Sequence, residues 1–232
     1  MDFSPEGPKA IPLWINGHAY LTVTEGFFDV VNPASGEAVY RVPLCGADEA
    51  REAAGAACAT QPAWAALSVE ARQAFLNALA DRLESYAGHF AKLLSGDTGF
   101  SEAAAQGEVA AALQALRGAA VGEAGVVAIV VDATRPLAGF AEAAAPALRA
   151  GACVIVKPSP KAPSAAYALC ELSARADWPA GVLNLMQGDS AAIEGLCAVA
   201  IDRLVYTGEP ALGLQVGAMA TAASKPWAML GA

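Results

Sequence analysis

The stretch from Gly125 to Pro163 reads GVVAIVVDATRPLAGFAEAAAPALRAGACVIVKPSPKAP. It opens with an apolar run at Val126–Val131, passes through an alanine-rich segment at about Leu137–Arg149, and returns to an apolar run at Ala152–Val156. Neither run alternates with polar residues, which predicts strands covered on both faces, as in a parallel sheet. The stretch therefore predicts a right-handed strand–helix–strand unit.

Two polar residues, Lys157 and Ser159, follow the second of these strands. In open α/β sheets ligands bind beyond the carboxyl ends of the strands. We therefore expect both residues to lie where a cofactor would bind.

The same alternation continues to the end of the sequence. Pro210 suits the first turn of a helix, and Thr207-Gly208 precedes it as a turn. The predicted elements are a helix at about Ser164–Ala176, a strand at Gly181–Met186, a helix near Ala191–Cys197, a strand at Arg203–Tyr206, a helix at about Pro210–Ala222 and a strand at Trp227–Leu230. Together with the opening unit they predict an α/β fold with a five-stranded, doubly wound parallel sheet.

The amino-terminal half reads differently. Short apolar runs within residues 13–43 are interrupted by Asn-Gly and Asn-Pro-Ala-Ser-Gly-Glu, which is the chemistry of hairpins and turns. Helices are predicted at about Ala47–Cys58, Ser68–Tyr86 and Ser101–Arg117, with Ser68 and Ser101 as caps. We expect one unit over residues 1–232, in which hairpins at 13–43 and a helical layer at 47–117 pack on a nucleotide-binding core at 125–232.

Composition excludes several classes of function. The net charge is −9 with 14 lysines and arginines, which leaves no basic face for nucleic acid. The sequence contains no run of about 18 apolar residues, which is the length that a membrane-spanning helix needs. Its start, MDFSPEGPKAIP, lacks the features of a secretory leader. The five cysteines form no metal-binding pattern, so we expect reduced thiols and a cytoplasmic location.

Several motifs in order resemble the amino-terminal half of an aldehyde dehydrogenase. They are WING, NPASGE, ARQAFL after Trp64, PALRAG before ACVIVKPS, PAGVLNLMQG and VYTGEPALG. Members of this family have a cofactor domain, a catalytic domain with a cysteine nucleophile, and a protruding hairpin used in oligomerisation. The sequence ends where the family's cofactor domain ends, and the region between Arg117 and Val126 is short. The resemblance thus implies that the nucleophile is missing and that the hairpin is reduced.

Two further departures concern catalysis. The family's PWNFPL aligns with Asp132–Leu137, so Thr134 stands in place of the asparagine whose amide stabilises the oxyanion. Loss of one such donor typically lowers the rate by about 100- to 1,000-fold. The family's LELGG aligns with Ala228–Ala232, so Met229 stands in place of the glutamate general base. The resemblance therefore implies that no catalytic residue remains.

The cofactor positions are also altered. By resemblance, Lys157 and Ser159 belong to the family's KPSE motif, in which Pro160 replaces the glutamate, and Glu209 replaces the serine of the TGS turn that receives the pyrophosphate. A carboxylate at this helix start would repel the dinucleotide; alternatively, Glu209 caps its own helix. The vestigial cofactor-binding positions are Lys157, Ser159, Gly188, Thr207, Gly208 and Gly213. We expect no cofactor, or weak NAD(P) binding.

Other residues have competing interpretations. Lys157 is either a retained cofactor contact or a solvated charge at a strand end. Asp132 and Arg135 form either an acid/base pair or, preferably, a surface salt bridge. The two histidines, His18 and His89, are interpreted as surface residues. The four tryptophans are interpreted as core or interface anchors.

The sequence therefore predicts a catalytically silent aldehyde dehydrogenase-like protein that acts in assembly, as a homo-oligomer or bound to a catalytic aldehyde dehydrogenase. The alternative is an NAD(P)-binding module, or half-enzyme, that needs a partner to supply the cysteine. A third interpretation is a truncated gene product without a function of its own. The expected interface comprises the loops at the carboxyl ends of the strands and the edge strand Trp227–Leu230, with Leu212 and Trp227 as test positions.

Overall fold

The computed structural model describes residues 7–24 and 26–231, in which ten strands and eight helices form. Residues 1–6, on which the expectation about a leader partly rests, lie outside this range, as do Glu25 and Ala232. The strands are β1 Lys9–Ala10, β2 Leu13–Ile15, β3 His18–Tyr20, β4 Phe27–Val31, β5 Ala38–Pro43, β6 Val126–Val131, β7 Cys153–Lys157, β8 Leu183–Leu185, β9 Arg203–Thr207 and β10 Trp227–Leu230. The helices are α1 Ala47–Ala65, α2 Val69–Ser85, α3 Ala87–Thr98, α4 Glu102–Arg117, α5 Ala138–Ala150, α6 Ser164–Ala174, α7 Ser190–Ala198 and α8 Pro210–Ala222.

The five strands predicted from the second half pair as a continuous parallel sheet in the order β10, β9, β6, β7, β8. Every residue of β6 and β7 is buried, as expected for strands covered on both faces. Between them, α5 ends at Gly151, which has a φ of 98° and terminates the helix in the left-handed conformation. The predicted α/β fold and its parallel sheet are confirmed.

The first hairpin, β2–β3, is not a separate layer on this sheet, contrary to the prediction, whereas β4 and β5 do lie outside it. Strand β2 pairs antiparallel with β8 through Trp14 and Leu185, and β3 follows it, so the sheet has seven strands. All three residues of β2 are buried, because this strand is covered on both faces like the central ones. The second sheet has the order β1-β5-β4, in which β1 and β5 are parallel.

The helical layer differs from the prediction in two places. Helix α1 continues to Ala65, beyond Cys58, and includes Pro62. Helix α3 was not predicted and begins directly after Tyr86, where α2 ends. The predicted caps are confirmed: Ser68 accepts a hydrogen bond from Ala71 N, and Ser101 accepts one from Ala104 N. Residues 118–125 contain no strand, as expected for a reduced hairpin.

Helices cover both faces of the large sheet. Helices α1, α7 and α8 pack together on one face, and α5 and α6, backed by α2, α3 and α4, cover the other. Three of the four tryptophans are buried as predicted, with Trp64 and Trp178 stacked at 5.6 Å between ring centroids. Both histidines are exposed, also as predicted. No helix in the described part of the chain is long and apolar enough to cross a membrane.

Candidate functional site

Asp132 lies directly after β6, at the carboxyl edge of the sheet, and is only 7% exposed. One carboxylate oxygen accepts hydrogen bonds from the backbone N–H of Thr134 at 2.7 Å and from its hydroxyl at 2.5 Å. The other accepts the backbone N–H of Glu209 at 2.7 Å and lies 3.3 Å from the hydroxyl of Tyr206. The carboxylate thus joins the end of β6 to the turn between β9 and α8.

Gly208 makes this junction possible. Its φ is 140°, in a region that favours glycine, and a Cβ atom there would lie 2.1 to 2.5 Å from three atoms of the Asp132 carboxyl group. The backbone of Asp132 also binds the turn, because its N–H donates to the carbonyl oxygen of Thr207 at 3.1 Å. Gly208 is therefore required by the chain's own carboxylate.

The predicted salt bridge between Asp132 and Arg135 does not form. Arg135 donates two hydrogen bonds of 2.7 Å to Glu142, and its Nε lies 3.9 Å from Glu108. The physical reason is that Asp132 is already satisfied by backbone and hydroxyl donors. Arg135 instead extends along α5, and neither residue is placed to form an acid/base pair with the other.

The Glu108 carboxylate, whose side chain is 10% exposed, has a role that the sequence analysis missed. It accepts the backbone N–H groups of Leu137 and Ala138 at 3.2 and 2.9 Å, so α4 caps the start of α5. Burial raises the pKa of this carboxyl group. No local pattern signals this cap, because acceptor and donors are about 30 residues apart.

The Glu209 side chain does not cap α8, although its position in sequence suggested that it would. Its side chain is exposed and makes no capping hydrogen bond, so the interpretation as a self-capped helix is wrong. Pro210 is the first residue of α8, as predicted, and has no N–H to donate. The carboxylate at the start of α8 is that of Asp132.

Lys157 is the last residue of β7 and is 4% exposed, which corrects its interpretation as a solvated charge. Its Nζ donates a hydrogen bond to the carbonyl oxygen of Gly188 at 2.8 Å. Burial lowers the pKa of the amine to about 8, against the raising effect of the nearby Asp189 charge. The lysine therefore joins β7 to the loop after β8.

The remaining cofactor-site predictions lie along the same edge. Thr207 is buried, while Ser159 and Pro160 are partly exposed, and the Ser159 hydroxyl accepts the N–H of Lys161 at 3.3 Å. Two glycines are explained by packing. A Cβ at Gly188 would lie 3.0 Å from the backbone nitrogen of Cys45, and one at Gly213 would lie 2.7 Å from the Tyr206 ring and 2.8 Å from the Met229 sulfur.

The two residues at the implied catalytic positions have other partners. Thr134 is exposed, but its hydroxyl donates a hydrogen bond to Asp132. Met229 lies in β10 opposite Tyr206, and its sulfur packs towards Gly213 on α8. Neither arrangement presents a free amide donor or a proton acceptor at this edge of the sheet.

The cysteines offer no activated thiol at the same edge. Cys45 lies next to Gly188, where burial, with a smaller effect of the Glu49 charge, raises the pKa of its thiol to about 12. Burial likewise raises the pKa of Cys153 to about 12. Cys58 is exposed, and its Sγ lies 3.4 Å from the carbonyl oxygen of Ala200, just before β9 and thus at the opposite edge. No cluster of metal ligands forms among the residues the structure describes.

A cleft of about 480 Å³ opens beside Thr134. Mostly apolar, it is bounded by Phe28 and Val31 of β4 and by the end of α3. At its rim Asp97 accepts hydrogen bonds of 2.9 Å from both the backbone N–H and the hydroxyl of Ser164. Burial raises the pKa of Asp97 to about 6.

The doubly wound parallel sheet, with polar groups gathered at its carboxyl edge, defines a domain of the nucleotide-binding type. Residues 20–124 and 122–231 match the Aldehyde dehydrogenase family. The chain belongs to that family.

Two relatives illustrate the relationship. The chain is 32% identical over 228 residues to succinate-semialdehyde dehydrogenase [NADP(+)] of Escherichia coli, covering 87% of this chain and 47% of the relative. It is 31% identical over 229 residues to glutarate-semialdehyde dehydrogenase of Pseudomonas putida, covering 88% and 48%. The chain thus spans about half the length of the curated relatives it matches.

Solved structures agree. Lactaldehyde dehydrogenase from Escherichia coli superposes with a TM-score of 0.89 at 24% identity, over 96% of this chain and 52% of that one, which shows the fold. An indole-3-acetaldehyde dehydrogenase of P. syringae, in complex with NAD⁺, has a TM-score of 0.86 at 26% identity, over 94% of this chain and 50% of that one.

Proposed function

We propose that this chain is a catalytically silent member of the aldehyde dehydrogenase family that acts in assembly in the cytoplasm. It binds either a second copy of itself or a catalytic aldehyde dehydrogenase. The observation that carries the proposal is the arrangement of Thr134 and Met229. The positions implied for the oxyanion donor and the general base hold a hydroxyl engaged with Asp132 and a packed thioether.

The thiols support catalytic silence. Acyl transfer in this family needs a thiolate, and a raised pKa keeps a cysteine protonated at neutral pH. Burial gives Cys45, which lies against Gly188 at the carboxyl edge, a pKa of about 12. Catalytic groups that act as a unit leave little activity when all are lost.

The assembly role is supported by the open edge of the sheet at β10 and by exposed apolar residues on β10 and α8. Strand β10 pairs only with β9 among the described strands, which leaves its other side open to a further strand. Leu230 of β10 is 40% exposed, and Leu212 and Leu214 of α8, which packs on β9 and β10, are 43% and 64% exposed on different sides of the helix. An open strand edge with exposed apolar residues near it is a candidate interaction site.

The second candidate is an NAD(P)-binding module that needs a partner to supply the thiol. The retained fold favours it, because structures similar to this chain include dehydrogenases in complex with NAD. The site residues argue against it. Lys157 donates to the carbonyl oxygen of Gly188, and Asp132 accepts the N–H of Glu209, one of the donors that a pyrophosphate would use at the start of α8. These contacts count against tight binding of a dinucleotide.

Turnover assays test catalytic silence directly. The purified protein is incubated with succinate semialdehyde or glutarate semialdehyde, chosen from the names of its relatives, and with NAD⁺ or NADP⁺. We expect no reduced cofactor above the buffer blank, while the Escherichia coli relative serves as the positive control. Turnover that scales with the pure protein and is abolished by thiol alkylation would refute the proposal.

A further inference from the structure

We propose that Asp132 acts as an intramolecular substitute for phosphate at the start of α8, and that this carboxylate, rather than Glu209, weakens the binding of dinucleotides. The inference rests on the proposed weak cofactor binding and names the residue responsible for it. The cofactor-binding positions that the resemblance implies do not include this side chain.

The first argument is the occupation of donors. Helix starts bind anions because their first N–H groups have no partner within the helix. At α8 the N–H of Glu209 already donates to Asp132 at 2.7 Å, and Pro210 has no N–H. An incoming pyrophosphate could reach the N–H of Glu209 only by displacing the carboxylate, and the first N–H groups of α8 itself that remain for an anion are those of Ala211 and Leu212.

The second argument is charge. In the described part of the chain, no lysine or arginine nitrogen lies within 4.0 Å of the Asp132 carboxylate. The nearest candidate in sequence, Arg135, is bound to Glu142. Because Asp132 is nearly buried, its repulsion of a second anion is screened less than that of the exposed Glu209.

The third argument is the fit of the carboxylate. Two backbone N–H groups and the Thr134 hydroxyl converge on it, and Gly208 leaves it room that any Cβ would fill. A carboxylate held by several donors is the arrangement by which proteins stabilise a bound anion. Here the anion belongs to the chain itself.

The test is calorimetric titration of NAD⁺, and separately of inorganic pyrophosphate, into the wild type and three variants. Asp132→Ala removes the side chain, Asp132→Asn keeps its size but removes the charge, and Glu209→Gln is the matched control for a neighbouring charge. We expect millimolar or weaker binding of NAD⁺ by the wild type. Asp132→Ala should bind NAD⁺ at least about 10-fold more tightly, whereas Glu209→Gln should gain less than about 3-fold.

Three results would overturn the inference. They are low-micromolar NAD⁺ binding by the wild type, unchanged affinity in the Asp132 variants, and a larger gain from Glu209→Gln than from either Asp132 variant. If Asp132→Ala does not melt cooperatively and so is not folded, the comparison of NAD⁺ affinity between Asp132→Asn and the wild type still tests the inference. Light scattering on the same variants separates this inference from the proposed function. Unchanged NAD⁺ affinity in the Asp132 variants, together with retained assembly, would remove only the role of Asp132. Aldehyde turnover by the wild type would remove the proposed function.

Discussion

The amine of Lys157 donates a hydrogen bond to the carbonyl oxygen of Gly188 inside the carboxyl edge of the sheet, where the lysine is 4% exposed. Burial lowers the pKa of this amine from 10.5 to about 8. Because the folded pKa lies below the unfolded one, the folded state binds fewer protons between these values. Stability should therefore rise with pH across this window.

We accordingly expect the free energy of unfolding of the wild type to increase relative to Lys157→Met between pH 8 and pH 10.5, by at most about 3 kcal/mol. Denaturant titration at several pH values measures this difference. Lys161→Met, which removes an exposed lysine, is the control and should change stability by less than about 0.5 kcal/mol. If the free energies of unfolding of the wild type and Lys157→Met ran parallel across this pH window, the result would contradict a buried amine that is hydrogen-bonded to Gly188.

Asp97 gives a pH dependence of the opposite sign. Burial raises the pKa of its carboxyl group from 3.8 to about 6, so the folded state binds more protons than the unfolded state between those values. The stability of the wild type relative to Asp97→Asn should fall from pH 4 to pH 6, by at most about 3 kcal/mol. Above pH 7 the two curves should run parallel. A difference that grows with pH would show that the two hydrogen bonds from Ser164 outweigh burial.

Gly208 should tolerate no side chain. Gly208→Ala places a Cβ against the Asp132 carboxyl group and in a disfavoured φ, so we expect a loss of at least about 2 kcal/mol in the free energy of unfolding. Gly36→Ala is the matched control, because Gly36 has a φ of 71° with nothing within 4 Å of its Cβ. It should show only the backbone effect, about 1 kcal/mol.

A double-mutant cycle separates the two contributions at Gly208. Adding Asp132→Ala should recover the part of the loss that comes from the clash, so the effects of the two substitutions should not be additive. Additive effects would mean that the carboxylate does not lie against this glycine.

Regular elements were predictable from the sequence because their signals are local. Unbroken apolar runs gave β6 and β10 with the observed bounds, and Pro210 marked the start of α8. Helix α3 was missed because it begins directly after Tyr86, without a glycine or proline that would separate it from α2. The place of β2 in the large sheet depends on Trp14 pairing with Leu185, a contact between distant parts of the chain.

The position of residues at the carboxyl edge was predictable from the sequence, but their hydrogen bonds were not. The rule that ligands bind at this edge pointed to Lys157 and Ser159, and the structure places Lys157 at the end of β7 with Ser159 two residues beyond it. The sequence could not show that Asp132 would bond with Glu209, 77 residues away, instead of with its neighbour Arg135. An available signal was that aspartate is a favoured cap and that it follows the strand next to β9.

The structure also changes the choice of test position for assembly. Trp227 is half-buried, and a Cβ at Gly217 would lie 2.3 Å from its ring, so Trp227→Asp would disturb the packing of α8. Leu214 is 64% exposed and lies on the same helix. Leu214→Asp should weaken self-association or partner binding at least about 10-fold while leaving the circular dichroism spectrum unchanged.

The control for this substitution is Val69→Asp, which introduces the same charge at an exposed apolar position at the start of α2. Because α2 backs the opposite face of the sheet from α8, it should leave assembly unchanged. Sedimentation velocity measures both variants. Equal weakening by both substitutions would indicate a general effect of charge and not an interface at α8 and β10.

The central claim is tested most directly by multi-angle light scattering of the purified wild type, alone and mixed with a catalytic aldehyde dehydrogenase from the same cell. The chain has a mass of 23.4 kDa. The account predicts a molar mass of at least twice this value for the chain alone, or a stable mixed complex with the enzyme. A single 23.4 kDa species at every concentration that also fails to join the enzyme would contradict it.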